Sequence, residues 1–173
     1  MNTSNSETRA PIAIRPTQEA DFEKIWPIFH QVVSQGTTYP YAMDTNRDQA
    51  HHLWMELPTA TYVALIDEQI RGTYYIKPNQ PGYGSHVCNA GFMVSQAAWG
   101  QGLGSAMVNH SLQEARHLGF KAMQFNAVVS TNTRAIALWT RSGFETIGIL
   151  PKAFNHQQLG LVDLLVMYQW LGD

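Results

Sequence analysis

Apolar and polar residues recur along this chain with periods that predict its elements. Ile12-Ala13-Ile14-Arg15 alternates and ends at Pro16, which reads as a short strand. Phe22, Ile25, Trp26, Phe29, Val32 and Val33 recur at helical spacing, with Thr17 as the expected N-cap and Glu19 and Asp21 in the first turn, where the helix dipole favours acids. Pro27 is expected to kink or split this helix, and Gly36 to stop it. After an irregular stretch, Thr37 to Asp44, a second helix is expected from a Thr45 cap, with Asp48 at its third position, to Leu57 before Pro58.

Strands follow at Tyr62–Ile66 and Ile70–Lys77, joined by the Asp67-Glu68-Gln69 turn as a hairpin. Pro78 to Ser85 is rich in turn formers and reads as a surface loop; His86 to Val94 is the next strand. Leu103, Met107, Leu112, Ala115 and Leu118 form the buried stripe of a helix ended by Gly119. Met123 to Ala127 alternates as a strand, and Thr133 to Arg141 is a short helix stopped by Gly143. Phe144–Leu150 and Asp163–Trp170 are closing strands joined by a loop from Pro151 to Leu161. The order βααβββαβαββ predicts an α/β (α+β) layered domain with a mixed sheet of about seven strands and about four helices.

Composition narrows the classes. At 173 residues the chain has the length of one domain, and a net charge of -2 provides no electrostatic footprint for nucleic acid. No apolar run approaches the roughly 18 residues of a membrane helix. Residues 1–10 are polar, lack the apolar core of a secretory signal, and read as a disordered lead. Cys88 is the single cysteine, so no disulfide forms within the chain and a cytoplasmic setting is expected. Seven histidines occur without HExxH or a Cys/His framework, and the adjacent His51 and His52 would point about 100° apart on a helix, so no metal is expected.

The stretch Trp99-Gly100-Gln101-Gly102-Leu103-Gly104-Ser105 stands between a strand and a helix. That order presents free backbone N–H groups at the head of a helix dipole, and glycines let an anion approach the main chain. It is not a Walker loop, because Ser105-Ala106 follow Gly104 where Lys and Ser/Thr are required. Nor is it the dinucleotide fingerprint, whose third glycine position falls on Ser105 or Met107.

Downstream comes Asn132-Thr133-Arg134-Ala135-Ile136-Ala137-Leu138-Trp139, closing at Gly143-Phe144. This N-x-x-A-x-x-L-aromatic pattern resembles the GCN5-related N-acetyltransferase (GNAT) family, whose R/Q-x-x-G-x-G/A pattern is matched at Gly102 and Gly104. The resemblance covers the chain from Ile12 to the last strand and implies one N-acetyltransferase domain over 11–173. It implies acetyl-CoA as co-substrate, its pyrophosphate over the amides of Gln101, Gly102, Leu103, Gly104 and Ser105. Main-chain groups of Phe92, Met93 and Val94 would pair with the pantetheine arm, between strands that splay at Val94 and Asn126. A backbone N–H near Met93 and Val94 would polarise the thioester carbonyl. Ala135 and Trp139 fall on the cofactor side of the pattern.

Two departures stand out. Trp99 replaces the usual Arg or Gln, which leaves the loop without a cation and Arg134 as distant help. Trp139 stands where many members have a tyrosine that protonates the leaving thiolate, and an indole does not titrate there. Asn132 is a candidate to stabilise the thiolate instead, as well as an N-cap of its helix.

Asn89 and Asn126 fall within strands, where asparagine is disfavoured, so either they satisfy backbone where the sheet opens or they hold a substrate carboxylate. With Ile149-Leu150-Pro151-Lys152-Ala153 and Val162-Asp163 they resemble fungal acetyltransferases that act on azetidine-2-carboxylate and proline-like imino acids. Tyr39 and Tyr41 are either half-buried connector residues or walls of a substrate pocket. His86, Glu56 and His156 are positional candidates for a general base; His110 and His117 read as structural, and Cys88 as a small buried hydrophobe. No acidic cluster marks the substrate loops, which disfavours polyamines. The reading is an enzyme, an N-acetyltransferase with a small-molecule amine substrate, an amino acid or imino-acid analogue. The alternatives are a protein or peptide acceptor, or a non-catalytic acyl-CoA-binding domain. No nucleic-acid or membrane partner is expected, and the family implies homodimers as a common assembly.

Overall fold

The structure, a computed structural model, describes residues 11–172; the expected lead at 1–10 lies outside them. The elements run β1 Ile12–Pro16, α1 Phe22–Val33, α2 Arg47–His51, β2 Ala60–Ile66, β3 Gln69–Pro78, β4 Val87–Val94, α3 Leu103–His117, β5 Ala122–Val129, α4 Thr133–Arg141, β6 Glu145–His156 and β7 Gly160–Trp170. The seven strands form one mixed sheet in the order β1-β2-β3-β4-β5-β7-β6. Every neighbouring pair is antiparallel except β4 and β5. The expected element order therefore holds throughout. Among the described residues no helix is long and apolar enough to cross a membrane.

Strand periodicity divides the core between the two faces of the sheet. On one face Val63, Tyr75 and Met93 meet Phe22, Ile25, Phe29 and Val33 of α1 and Trp54 just beyond α2. On the other, Tyr74, Ile76, Ala90, Phe125 and Met167 meet Leu103, Met107, Val108, Leu112 and Ala115 of α3. Leu118, expected in that stripe, is exposed, and Val108 and Ser111 are buried instead.

Helix starts differ from expectation by short steps. Thr17 donates to the Thr61 carbonyl at 3.0 Å rather than capping a helix. Asp21 organises the entry: it accepts the Gln18 N–H at 2.7 Å and a two-pronged pair from Arg15 at 2.6 and 2.9 Å. A 3-10 turn, Glu19–Asp21, precedes α1. Asn46, not Thr45, caps α2, exchanging bonds with Gln49. Its side chain reaches the amide three residues on, whereas Thr45 is committed to the Ala42 carbonyl.

Pro27 does not split α1. Glu23, whose carbonyl would have accepted its missing N–H, and Pro27 itself are exposed, so the orphan group lies on the solvent-facing side of the helix. Beyond α2 the chain widens into a π turn, His52–Glu56. The fully buried Trp54 fixes it: its carbonyl accepts from the Thr61 hydroxyl at 2.7 Å and its indole donates to Thr73 at 2.9 Å. The expected loop from Pro151 to Leu161 is mostly strand, with β6 and β7 closing as a long hairpin. Pro151 is tolerated because β6 is an edge strand. The irregularity there places Lys152 at φ 53, its N–H donating to Asp163 at 2.8 Å.

The Arg15 guanidinium and the Gln18 amide hold the Asp21 carboxyl below the usual range, against the opposing effect of burial. A depressed native pKa contributes stability above the unfolded value of about 3.9, and that contribution is lost as pH falls through the native value. Asp21→Asn is expected to destabilise by about 1–3 kcal/mol at neutral pH in chemical denaturation. The deficit should shrink in acid, where the wild-type carboxylate is itself protonated. A deficit that stays constant with pH would show that the charge of Asp21 is not what matters.

Candidate active site

The site begins where the sheet comes apart. β4 and β5 pair only at Val87↔Ala122 and Cys88↔Met123, then diverge. Asn89 sits at the crotch, donating to the Gln124 carbonyl at 2.9 Å and accepting from Tyr75 Oη at 3.2 Å. It thus occupies its amide on the protein, satisfying backbone where the strands part. Asn126 lies further up β5 and joins Asn79 and Gln124 in a chain of side-chain amides at 2.6 and 2.8 Å. The two asparagines do not bond to each other.

Bonded pairs alternate in an antiparallel ladder, and the β3–β4 ladder runs without a bulge. The Ser95 N–H bonds to the Arg71 carbonyl and the Asn79 N–H to that of Val87, so the odd-numbered residues of β4 share their main-chain groups with β3. Ala90, Phe92 and Val94 turn theirs into the fork. Two side chains confirm the direction: Tyr39 donates to the Phe92 carbonyl at 2.9 Å and the Trp99 indole to that of Val94 at 3.4 Å. The N–H groups of Phe92 and Val94 face the gap. Met93 is a correction: its main chain belongs to the ladder and its side chain to the core beside α1.

The fork is held open by aromatic rings. Trp139 packs between the strands, its ring centroid 5.1 Å from Phe92 on β4 and 4.7 Å from Phe125 on β5. At the upper end, Gly102 at φ 86 turns the chain into α3. Ala106 is the first residue bonded along that helix, to the Gly102 carbonyl at 3.1 Å, so the amides of Leu103, Gly104 and Ser105 head the dipole without helical partners. Gly104 admits Leu138 of α4, which a Cβ would approach to 3.2 Å. Gln101 stands apart from the cleft wall, its N–H toward the Ala98 carbonyl and its amide donating to that of Ala97. Arg134 stacks on Trp99 at 5.6 Å, which brings a cation to a loop that carries none. Asn132 accepts the Ala135 N–H at 3.2 Å as the cap of α4 and is one of the residues that line the cleft.

The opposite wall is built on α1 and the Thr37–Asp44 stretch. Tyr39 stacks on Tyr41 at 5.6 Å, Tyr41 on Phe29 at 5.7 Å, and Trp54 meets Tyr75 edge-on at 4.8 Å. The Tyr75 ring lies on Gly91, where a Cβ would come within 2.6 Å of it. A glycine inside a strand signals such close approach, and Gly91 is the clue by which Tyr75 could have been found from sequence. Burial pushes the hydroxyls of Tyr39, Tyr41 and Tyr75 to stay protonated well above neutral pH.

Together these walls enclose about 810 Å³, in the range of a small-molecule site. Every residue expected in the site lines it except Gln101, and Tyr75, Lys77 and Gln31 join them. Among the described residues no Asp, Glu or His lines the cleft. Of the positional candidates for a base, Glu56 bonds to His51 and His52, His86 to the Tyr83 carbonyl, and buried His156 accepts from its own turn.

Residues 22–144 match the model of the acetyltransferase (GNAT) family. Over 137 residues the chain is 34% identical to N-acetyltransferase aca1 of Schizosaccharomyces pombe, an alignment covering 70% of this chain and 66% of that protein. Its fold is similar to a GCN5-related N-acetyltransferase from Kribbella flavida, with a TM-score of 0.87, 42% identity and coverage of 92% and 97% of the two chains. It is also similar to yncA of Salmonella typhimurium, solved with its cofactor acetyl-CoA, with a TM-score of 0.80 at 22% identity, covering 95% and 96%.

Cys88 is fully buried at the base of the fork, and burial pushes its thiol up to about 12. It is therefore a protonated thiol at neutral pH, unsuited to carry an acyl group. A thiol reagent is expected to find no reactive cysteine in the folded chain and one after unfolding in guanidinium. Rapid labelling of the native protein would contradict this burial.

Proposed function

The chain belongs to the acetyltransferase (GNAT) family, and on that premise we propose that it transfers an acetyl group from acetyl-CoA directly to the amine of a small molecule, an amino acid or imino-acid analogue. The observation that carries this reading is the fork itself. It runs from an amide cradle at the head of α3, along outward-facing main-chain groups of β4, to a pocket walled by aromatic rings. A strand-like ligand with an anionic end fits such a groove, and acetyl-CoA supplies both the strand-like arm and the thioester that the amine attacks. The relatives named above support it: one is called an N-acetyltransferase and another was solved with acetyl-CoA.

The chain's own residues divide the work. The amides of Gly102, Leu103, Gly104 and Ser105 receive the pyrophosphate, with Arg134 beside them adding charge. Val94 holds the arm through its main chain, and Asn126, Ala135 and Trp139 line its course. Tyr39 joins the acceptor wall to β4 at the Phe92 carbonyl, so acceptor and thioester meet there. The Phe92 N–H, two residues deeper than Val94, is then the donor that polarises the thioester carbonyl. The Asn132 NH₂ stabilises the departing thiolate in this reading, the task that the Trp139 indole cannot perform by ionising. Tyr39 and Tyr41 exclude water around the acceptor.

Among the described residues no Asp, Glu or His lines the cleft wall to take the acceptor's proton near neutral pH. The amine therefore has to arrive neutral, and its neutral fraction rises with pH up to its own pKa. kcat/KM is expected to climb with pH along the acceptor's ionisation, shifting when acceptors of different basicity are compared. A limb that stays at one pH for every acceptor would point to an enzyme base instead.

The direct test is acetyl-CoA-dependent release of coenzyme A, followed by mass spectrometry across imino acids, amino acids, polyamines, an aminoglycoside and peptides. Turnover with free amino or imino acids is the expected result. Turnover confined to peptides would replace the small-molecule reading. Saturable acetyl-CoA binding with no turnover on any amine would favour a non-catalytic binding domain.

A further inference from the structure

Lys77 is a cation of the cleft wall to which the reading above gives no role. It stands near the end of β3, paired across the ladder with Asn89, so it shares the face of Tyr75, Asn89 and Gly91 rather than that of Phe92 and Trp139. That is the acceptor side of the fork. Its Nζ lies 5.3 Å from the centre of the Tyr75 ring, which itself rests on Gly91, the neighbour of Phe92. The side chain is half-buried, and among the described residues no carboxylate lies within ion-pair distance of it.

The surrounding charge sharpens the point. The chain has 13 acids against 11 lysines and arginines, yet among the described residues the cleft wall contains Lys77, Arg134 and Arg141 and no acid. Arg134 and Arg141 both belong to α4, and Arg134 is stacked on Trp99. Lys77 is the one lining cation on the acceptor side among the described residues. An ammonium beside an aromatic face, with no carboxylate partner among the described residues, is suited to receive an anion. Asn89 spends its oxygen on Tyr75 and one of its two N–H donors on Gln124, so it offers a neutral donor beside Lys77 but no charge.

Resting on the acetyl-transfer reading above, we propose that Lys77 selects the acceptor: it binds the free carboxylate of an amino or imino acid whose amine lies at Phe92. The Tyr75 ring touches both the ammonium and Gly91 of β4, so the lysine and the Phe92 main chain flank one side chain. The choice of acceptor follows from the chemistry. A polyamine presents a second cation to Lys77 and is repelled. A peptide N-terminus presents a neutral amide where the carboxylate should be and leaves the lysine unpaired. Amino acids with a free carboxylate complete the pair.

The test compares L-proline, L-azetidine-2-carboxylate and L-alanine with the carboxamide of each, for wild type, Lys77→Met and Lys77→Arg. Methionine keeps the apolar stem without the charge, and thermal melts establish that the variants fold. Wild type is expected to prefer each acid over its amide. Lys77→Met should lower kcat/KM for the acids about 10- to 100-fold, mainly through KM, with the amides and the KM for acetyl-CoA little changed. Lys77→Arg should recover part of the loss. Equal losses on acids and amides, or a wild-type preference for amides, would overturn the assignment. If wild type acetylates no amine at all, the transfer reading fails separately. Calorimetry with N-acetyl-L-proline then decides the anchor: binding weakened in Lys77→Met supports it, and unchanged or absent binding removes it.

Discussion

Two parallel strands that stop pairing after two residues are the constraint on which the rest of this structure depends. A strand that leaves its neighbour inside a sheet exposes main-chain donors and acceptors that must be satisfied elsewhere. Here three of the exposed carbonyls are met by side chains. Asn89 covers the Gln124 carbonyl at the crotch, Tyr39 the Phe92 carbonyl and the Trp99 indole the Val94 carbonyl. The N–H groups of Phe92 and Val94 face the gap, as donors for a ligand that lies along β4 like another strand. The rings of Phe92, Phe125 and Trp139 keep that gap from closing, because apolar contact between them replaces what strand pairing would have supplied.

The two walls of the cleft come from opposite sides of the sheet and differ in chemistry. The α3–α4 side presents orphan amides, a helix dipole and an arginine, a setting for phosphate. The α1 side presents tyrosines whose hydroxyls bond to the protein and stay protonated, and one lysine. Phe92 is where the walls meet, since its main chain belongs to the fork and its carbonyl to Tyr39. An acid-free wall also bears on the chemistry, because it neither stabilises an ammonium nor removes its proton. On the proposed reading, reactivity rests on donors and geometry built into the backbone rather than on an ionisable side chain at Trp139.

Distance along the chain and distance in the cleft are unrelated for the acceptor wall. The π turn at Trp54 seats that residue under Tyr75, and Tyr75 in turn can lie flat only because Gly91 has no side chain. Residues from the π turn, β3 and β4 thus depend on one another for position. A change at Trp54 or Gly91 would reach the site through packing, without touching a ligand.

The sequence by itself determined the element order, the glycine turn into α3 and the family, because these rest on local periodicity, on glycine conformations and on motifs at short spacing. Its errors were local as well. Side-chain reach moved the cap from Thr45 to Asn46, the exposed face of α1 let Pro27 stand, and the edge position of β6 let Pro151 lie in a strand. Most of the expected site residues line the cleft, since the motifs that name them also build it. What only the tertiary structure decided was direction and company. Ladder parity took the Met93 main chain out of the fork and pointed that of Phe92 into it, a one-residue distinction that composition and spacing do not contain. Long-range packing brought Arg134 onto Trp99 and Lys77 into the wall of the cleft, where among the described residues no acid lies. Those relations depend on which faces of distant strands and helices meet, and the chain acquires them only when it folds.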